Sequence, residues 1–220
     1  VPLCRIRPAS RLSPPFLPAH TNRGFAGGPL RSGGQSYAWG FAVHAYSELR
    51  FPLPKCASAF RSRIGLDSIV GQGGCARARV YVGSTTSKPA YESPLLTGSK
   101  KTVDSGSVRL ATRADGPKLL ILQADPVDRG APDGADPLNI RDKLDWLDPR
   151  LELDKARLQE QVRRQIGPLI ASSPGWTLRL DRRGVYTWTN HFDKQSQAGE
   201  RRFWTMLRAG GQALSLSREM

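Results

Sequence analysis

The sequence predicts a mainly β protein: a β-sandwich of the jelly-roll type, followed by a C-terminal helix and a small β appendage. Three observations favour this fold class. Short segments alternate apolar and polar residues, turn signals recur at intervals of roughly 8–12 residues, and 22 Gly with 17 Pro disfavour long helices. With 220 residues, 39% of them hydrophobic, the chain is long enough to bury a core.

Residues 1–24 contain five prolines, which favours an extended lead-in strand or arm. Residues 25–153 supply the strands that we assign to the sandwich. Within them, Phe60, Ile64 and Leu66 alternate with polar positions, and this period of two predicts a half-buried strand. The other strand candidates are residues 50–53, where prolines favour an edge position, and residues 76–82, 90–93, 102–111 and 118–123.

The pattern changes in the last third of the chain. Leu158, Val162 and Ile166 recur at helical spacing, which predicts an amphipathic helix over residues 153–166. Four strand candidates follow between this helix and the C-terminus. Because so few residues make a poor independent domain, we interpret residues 154–220 as an accessory segment.

The formal net charge is +14, and its distribution is uneven. Residues 1–124 carry 17 basic and 5 acidic side chains, whereas residues 125–150 carry 4 basic and 7 acidic ones. The basic residues are mostly single arginines outside any Lys/Arg-rich tract, which argues against nucleic-acid binding. No apolar run approaches the roughly 20 residues of a transmembrane helix. The chain starts at Val1 without an initiator Met, so we interpret it as a processed protein or a piece of a longer one.

An aspartate-rich segment interrupts the basic background. Its members are Asp125, Asp128, Asp133, Asp136, Asp142 and Asp145. Calcium is bound by oxygen ligands, and closely spaced carboxylates make Asp125 and Asp128 candidate calcium ligands. The spacing does not match an EF-hand loop, and the alternative is a solvated acidic loop with local Asx-turns.

The sequence contains no recognisable catalytic constellation. No two aspartates stand out as the acid–base pair of a glycosidase, and no Gly-x-Ser-x-Gly motif marks a nucleophile. The three histidines, His20, His44 and His191, are too dispersed in sequence to indicate a metal site. We therefore predict that the chain is not an enzyme.

His44 and several aromatic residues could contact a ligand. The imidazole of His44 can both donate and accept a hydrogen bond, so it suits either a sugar hydroxyl or the backbone of its own loop. Trp39, Tyr46 and Trp146 could each offer a stacking face to a pyranose ring, although large aromatics more often belong to the core.

Several short motifs occur in an order typical of one family. They are Gly28-Pro-Leu30, Tyr37-Ala-Trp-Gly40, His44, Gly65-Leu-Asp67, Glu92-Ser-Pro-Leu-Leu-Thr-Gly98 and the closing Asp142-x-x-Asp145-Trp146. With this pattern, residues 3–153 resemble the NPCBM family of carbohydrate-binding modules. The resemblance implies a galactose-binding-like β-sandwich, which is often attached to glycoside hydrolases or found in surface and envelope proteins.

The resemblance also implies a shallow ligand site framed by loops. The predicted ligand contacts are Trp39, His44, Asp67, Arg129, Asp142, Asp145 and Trp146. Three departures from the family pattern stand out: Lys143 occupies a position where His is common, Ala42 occupies a position where Gly is common, and residues 131–140 lengthen the acidic loop.

The leading hypothesis is a non-catalytic carbohydrate-binding module within a larger surface or secreted protein, located outside the cell or in the envelope or periplasm. The alternative is a protein-interaction or scaffold module that has the same fold and binds no sugar. As partners we expect a glycan and other domains of a larger protein. We expect no membrane span and no nucleic acid, and calcium is the one candidate cofactor.

Overall fold

Antiparallel strands dominate the computed structural model, which confirms the predicted mainly β fold. The structure describes residues 1–110, 118–127, 139–165, 169–180, 185–190, 196–200, 205–209 and 212–216. It divides into two units, residues 1–158 and residues 159–220. Within the described ranges, no helix combines the length and the apolar character that a membrane span needs.

The strands of the first unit are short and follow the alternating segments of the sequence. In chain order they are β1 Ser10–Leu12, β2 His20–Thr21, β3 Leu30–Ser32, β4 Gln35–Tyr37, β5 Gly40–His44, β6 Ser47–Leu53, β7 Ala57–Leu66, β8 Cys75–Val82, β9 Tyr91–Glu92, β10 Leu96–Thr97, β11 Thr102–Asp104, β12 Val108–Arg109, β13 Lys118–Pro126 and β14 Lys143–Leu153. Leu3–Arg5 and Ser68–Val70 form short 3-10 helices.

These strands form two sheets and one hairpin. The first sheet has the strand order β11-β7-β14-β5-β2, and β12 also pairs with β7. The second sheet has the order β1-β6-β13-β8-β10, and β9 also pairs with β8. Strands β3 and β4 pair only with each other among the described strands. The two sheets pack face to face as a sandwich, with loops at both ends.

The core lies between the two sheets. Phe60, Ile64 and Leu66 of β7 are completely buried there, as the period of two predicts. From the second sheet, Leu120 and Leu122 of β13 enter the same core. Burial of this apolar surface is the main stabilising contribution to the sandwich.

The Pro-rich lead-in provides an outer strand to each sheet. Strand β1 pairs with β6 at the edge of the second sheet, and β2 pairs with β5 at the edge of the first. Leu3 is completely buried in the core. The Val1 amino group donates a hydrogen bond of 2.6 Å to the Leu151 carbonyl oxygen, so the lead-in also contacts β14.

The Pro-containing end of strand β6 lies at a sheet edge, as its prolines predict, although the first part of the strand is internal. It pairs with both β1 and β13. The last residue of β6 that pairs with β1 is Arg50, which lies opposite Ser10. Pro52 lies beyond it and has no partner on the β1 side. On that side, the missing N–H of Pro52 removes no ladder hydrogen bond.

The second unit begins within helix α1, Lys155–Gln165, where the sequence predicts an amphipathic helix. The Asp154 carboxylate accepts a hydrogen bond from the Arg157 amide and caps the helix N-terminus. The later strands are β15 Leu169–Ser173, β16 Trp176–Leu180, β17 Val185–Asn190, β18 Ser196–Glu200, β19 Thr205–Ala209 and β20 Gln212–Leu216. Strands β15 to β18 form one antiparallel sheet, and β19 pairs with β20.

The β3–β4 hairpin covers the outer face of the first sheet. Leu30 and Tyr37 of the hairpin pack with Ala42 of β5 and Leu147 of β14 in a second apolar cluster, against which Phe25 also packs. Because this cover excludes water, a polar side chain beneath it is destabilising unless it has a partner within the protein.

Replacement of Gly40 by alanine is expected to destabilise the fold. Gly40 has φ 149°, and a Cβ atom at this position would fall well inside van der Waals contact with the Trp146 carbonyl oxygen. Overpacking of this kind costs about 1–3 kcal/mol. Gly28→Ala is the matched control, because a Cβ atom there meets no atom within 4 Å. Equal free energies of unfolding for the two variants in chemical denaturation would contradict the close approach of β5 and β14.

Candidate functional site

Three predicted site residues, His44, Asp67 and Asp145, lie close together near one end of the first sheet. Asp145 pairs with Ala42, two residues before His44 on β5, and with Gly65, two residues before Asp67. Residues two positions apart on a strand share a face. The register therefore places all three residues on the side of the sheet that carries the β3–β4 hairpin.

Asp67 joins two loops through both of its carboxylate oxygens. Oδ1 accepts a hydrogen bond of 3.0 Å from the Ile69 amide and caps the 3-10 helix Ser68–Val70. Oδ2 accepts a hydrogen bond of 3.0 Å from the Phe25 amide. Only 2% of Asp67 is exposed, so in this arrangement it holds loops in place.

His44 is buried and faces backbone on both sides of its ring. Nδ1 lies 2.5 Å from the Ala45 carbonyl oxygen, and Nε2 lies 3.3 Å from the Ile140 carbonyl oxygen. Both ring nitrogens thus face carbonyl oxygens, and the tautomer decides which of them donates. These contacts connect the end of β5 to the segment that leads into β14.

Asp145 is completely buried, and neither of its carboxyl oxygens has a hydrogen-bond partner among the described residues. Its strand neighbours Ala42 and Gly65 offer no side-chain donor. The Ser32 hydroxyl, which also lacks a partner among the described residues, lies directly above Gly65. Burial, and secondarily the negative charge of Asp67, raise the pKa of Asp145 well above its usual range.

The other predicted contacts lie in different surroundings. Asp142 is buried, and its Oδ1 accepts a hydrogen bond of 2.8 Å from the Cys75 amide. Trp146 is completely buried in the core, with its ring edge-on to Phe60 at a centroid distance of 6.3 Å. Trp39 is half-buried and precedes β5, so it lies at the opposite end of that strand from His44.

The candidate calcium ligands are not brought together in the described structure. Asp128 and the predicted contact Arg129 lie outside the described residues. Asp125 forms an ion pair of 2.5 Å with Arg79, so a guanidinium already occupies one side of its carboxylate. Within the described ranges, no group of three or more His, Cys, Asp or Glu side chains is arranged to hold a metal ion.

A connected set of polar side chains covers the outer face of the second sheet. We call it the polar face, and its members are Tyr46, Glu48, Arg50, Arg79, Tyr81, Gln123 and Asp125. Its centre is Glu48, which accepts a hydrogen bond from the Tyr46 hydroxyl and two from Arg50, at 2.7 and 3.0 Å. Gln123 Nε2 donates to the Tyr46 oxygen at 3.0 Å and to Glu48 at 3.3 Å.

The network extends across β13 to β8. Gln123 Oε1 accepts hydrogen bonds from Tyr81 at 3.4 Å and from Arg79 at 3.3 Å. Arg79 also pairs with Glu92 at 2.6 Å and with Asp125. Neighbouring strands thus hold these side chains in one fixed arrangement, in which Glu48, Gln123 and Tyr81 are buried.

The pKa values on the polar face follow from this network. Burial raises the pKa of Tyr46 to about 12, with further contributions from the hydrogen bond to Glu48 and from its charge. Burial alone would raise the pKa of Glu48, but hydrogen bonds from Tyr46, Arg50 and Gln123 outweigh it and lower the pKa. Near neutral pH, Tyr46 is therefore a hydroxyl donor and Glu48 an ionised acceptor.

Sequence reasoning did not assign Glu48, Arg50 or Gln123 to a site. The sequence does alternate apolar and polar residues in these strands, and these three residues occupy the polar positions that point away from the core. Outward polar residues normally face solvent, and nothing in their spacing indicates hydrogen bonds between strands. Of the two tyrosines on the polar face, Tyr46 is the accessible one, with 39% of its surface exposed, whereas Tyr81 is buried.

A second polar concavity lies along β7 and β14. It is an open pocket of about 130 Å³, here called the basic pocket, and it is lined by Arg61, Ser62, Arg63, Asp104, Asp148 and Arg150. Arg63 pairs with Leu147, which in turn pairs with Gly40. The basic pocket therefore lies toward the Gly40 end of β5, away from His44.

Asp145→Asn is expected to stabilise the protein at neutral pH and to flatten the pH dependence of its unfolding. A group whose folded pKa is raised binds protons preferentially in the folded state, so its contribution to stability falls as pH rises above its unfolded pKa of about 4. The variant should match the parent below about pH 4 and gain up to about 1.4 kcal/mol per pH unit above it. Denaturant unfolding at a series of pH values measures this difference.

Glu48→Gln is a control for which the change in stability with pH should have the opposite sign. The pKa of Glu48 is lowered in the folded state, so its stabilising contribution is present above its unfolded pKa and is lost as pH falls through the folded pKa. The variant should be less stable than the parent near neutral pH, and the deficit should shrink in acid. If both variants shift stability in the same direction with pH, the assignment of the two carboxyl groups is wrong.

Comparison with known proteins agrees with the β-sandwich fold. The NPCBM/NEW2 domain description matches residues 8–152, whereas no curated protein matches the chain. A CBM51 module from Clostridium perfringens GH95, solved in complex with methyl-galactose, has a TM-score of 0.54 and 21% identity. That match covers 69% of this chain and 99% of that one.

Two further similar structures come from the C. perfringens protein ZmpB. One contains CBM51-2 in complex with GlcNAc and INT domains, with a TM-score of 0.56, 18% identity, and coverage of 74% of this chain and 34% of that one. The other contains the M60 catalytic domain with CBM51-1 and CBM51-2, with a TM-score of 0.56, 14% identity, and coverage of 90% and 22%. These likenesses show a shared fold. The match over residues 8–152 shows that this chain belongs to the NPCBM/NEW2 domain family of carbohydrate-binding modules.

Proposed function

We propose that this chain is a non-catalytic module that binds a glycan through the polar face around Tyr46. Family membership over residues 8–152 is the observation that carries the proposal. The polar face is the part of the described sandwich where an accessible aromatic ring adjoins fixed hydrogen-bonding groups. Sugar-binding sites need both features, because a pyranose offers an apolar C–H face and a rim of hydroxyls.

The chemistry of the polar face suits a sugar ring. The exposed part of Tyr46 provides a stacking surface, and the Arg50 side chain, which is 39% exposed, carries donors. Glu48 and Gln123 are buried beneath them and hold Tyr46 and Arg50 in place. Since hydrogen bonds already fix these side chains, ligand binding costs little additional side-chain entropy. A surface of this shallow kind favours weak binding by a single site.

The sequence-predicted residues have two proposed roles. His44 supports the site by contacting the backbone of Ala45, which precedes Tyr46. Asp67 and Asp142 accept hydrogen bonds from backbone amides elsewhere, so their proposed role is to hold loops of the sandwich in place. Trp39 and Arg129 stay proposed ligand contacts, as does Asp145 in a conformation that opens the β3–β4 hairpin over it. Trp146, the remaining proposed contact, lies on the opposite face of β14, in the core between the two sheets. Calcium stays a candidate for Asp125 and Asp128, and binding measured with calcium and with a chelator tests it.

The described carboxyl groups support a binding role over a hydrolytic one. A glycosidase needs a protonated acid and a second carboxylate on either side of the scissile bond. Asp145 is the carboxyl group whose pKa is raised far enough to act as an acid, but it is completely buried under the β3–β4 hairpin. Glu48 is also buried, and its lowered pKa keeps it ionised, so it does not supply an accessible acid either.

The cellular setting follows from the proposed ligand. Polysaccharides accessible to such a module lie outside the cytoplasm, so we expect it in the extracellular space, the envelope or the periplasm. We also expect it to act beside other domains of a larger protein. A glycan brought close by such a module raises the local concentration of substrate for a neighbouring enzyme.

A glycan array followed by calorimetry tests the proposal. Tyr46→Ala should weaken binding of the best ligand by about tenfold or more, because it removes both the stacking surface and the hydroxyl. Tyr46→Phe keeps the ring and should retain part of the affinity. Phe16→Ala is the matched control, since Phe16 is 93% exposed and lies outside the polar face.

Two outcomes would contradict this proposal. One is the absence of binding to any plant, algal or bacterial glycan with calcium present, together with capture of a protein partner that free sugars do not displace. The other is equal binding by Tyr46→Ala and Phe16→Ala, which would remove the polar face as the site. Arg129→Ala in the same assay tests the remaining predicted contact.

A further inference from the structure

The basic pocket is lined by three arginines and two aspartates, so it carries an excess of one positive charge. Arg61 forms hydrogen bonds of 3.1 and 3.3 Å with Asp104, whose Oδ1 also accepts from the Gly106 amide at 2.8 Å. In contrast, the guanidinium groups of Arg63 and Arg150 form no hydrogen bond or ion pair with any described residue, although the charge of Arg63 helps to lower the pKa of Asp104. Each pocket arginine belongs to a strand, so its backbone position is fixed.

The pocket is shaped by an irregularity in β14. The register between β7 and β14 shifts between Leu147 and Arg150, and Asp148 has φ 47°, in the left-handed region. The Ser62 hydroxyl lies 3.0 Å from the Leu147 carbonyl oxygen and 2.7 Å from that of Arg63. The Asp148 amide donates to the Trp39 carbonyl oxygen at 3.2 Å.

This bulge has a chemical consequence. Bulges change the direction of side chains and are common next to functional sites. A non-glycine residue with positive φ persists when the surrounding structure holds its backbone in that conformation. Here the bulge places the Asp148 side chain in the pocket wall. Its carboxylate shares the cavity with Arg63 and Arg150, yet the described residues include no ion pair between them. The pocket thus presents separate cationic and anionic groups to a ligand.

We propose that the basic pocket is a second saccharide site that binds an acidic sugar, a uronic acid residue, with its carboxylate at Arg63 and Arg150 and a hydroxyl at Asp148. A guanidinium matches a carboxylate in planar geometry, and an ionised aspartate accepts from a sugar hydroxyl. This inference goes beyond the function of the polar face, because the two surfaces share no residue.

Ligands of other classes satisfy fewer of the charged groups in the basic pocket. A neutral sugar leaves the excess positive charge of the pocket without a counter-charge. A simple inorganic anion contacts the arginines but is repelled by Asp148 and Asp104. A uronic acid carries both a carboxylate and hydroxyl donors, so it satisfies both kinds of group in one residue. An open cavity of about 130 Å³ suits one sugar residue whose linkages point outward.

The test compares matched ligands on the full chain. Galacturonate and glucuronate oligosaccharides are titrated by calorimetry or NMR against galactose and glucose oligosaccharides of the same length, with inorganic sulfate as the anion alone. The acidic sugars should bind at least about tenfold more tightly than their neutral counterparts, and this preference should weaken as salt is added. Sulfate should bind more weakly than the acidic sugar.

Variants locate the site. Arg63→Ala with Arg150→Ala should abolish the preference for acidic sugars, whereas Arg31→Ala, at an exposed position on β3, should leave it unchanged. Asp148→Asn tests the carboxylate without removing an arginine and should strengthen sulfate binding while weakening the acidic sugar. Circular dichroism confirms that each variant is folded. Tyr46→Ala should retain acidic-sugar binding, which separates failure of this site from failure of the polar face.

Three results would overturn the proposal. Equal affinity for acidic and neutral sugars would remove the carboxylate specificity. Parent-like binding by the folded double arginine variant would place the acidic-sugar site elsewhere. Sulfate that binds as tightly as the sugar and displaces it would show that the pocket holds an adventitious ion only.

Discussion

The burial of Trp146 determines the position of strand β14, and the sites depend on that position. Trp146 is completely buried in the core, and replacing a buried tryptophan by alanine typically costs about 3–5 kcal/mol. Because side chains alternate along a strand, burial of Trp146 forces Asp145 and Leu147 to the opposite face. A slip of one residue would exchange the two faces. The pairing of β14 with β5 and β7 therefore fixes the buried carboxyl group under the hairpin and the bulge of the basic pocket.

The outer face of the first sheet combines a stabilising cover with a destabilising charge. Leu30, Tyr37 and Phe25 bury apolar surface against the sheet, and Asp67 links this cover to the end of β7. The same cover removes Asp145 from water without giving it a described hydrogen-bond partner. Burial of an unpaired carboxylate is unfavourable, so the protonated form is favoured and the pKa rises. Asp145 is thus a source of pH-dependent stability and inaccessible to an extended glycan while the cover is closed.

The two accessible polar surfaces differ in how their charges are balanced. On the polar face, Glu48 and Arg79 are engaged by several partners, so the face is fixed in shape. In the basic pocket, the bulge keeps Asp148 apart from Arg63 and Arg150. The first arrangement suits a ligand that adds hydrogen bonds to an already satisfied network. The second suits a ligand that brings the missing charge. Both belong to one sandwich because antiparallel sheets leave an outer face that can remain polar.

The amino-acid pattern alone determined the fold class, the alternating strands such as β7, the helix near residue 155, and the family through its short motifs. These follow from local periodicity and from residue order, which a chain carries before it folds. Tertiary structure decided the rest. Strands β15 and β18, with small and polar residues such as Ala171 and Ser196, exist because neighbouring strands pair with them. His44, Asp67 and Asp142 contact backbone, since packing brings distant loops against them. Tyr46, Glu48 and Gln123 form a site only because pairing of β6 with β13 joins side chains far apart in sequence, and no local pattern encodes that meeting.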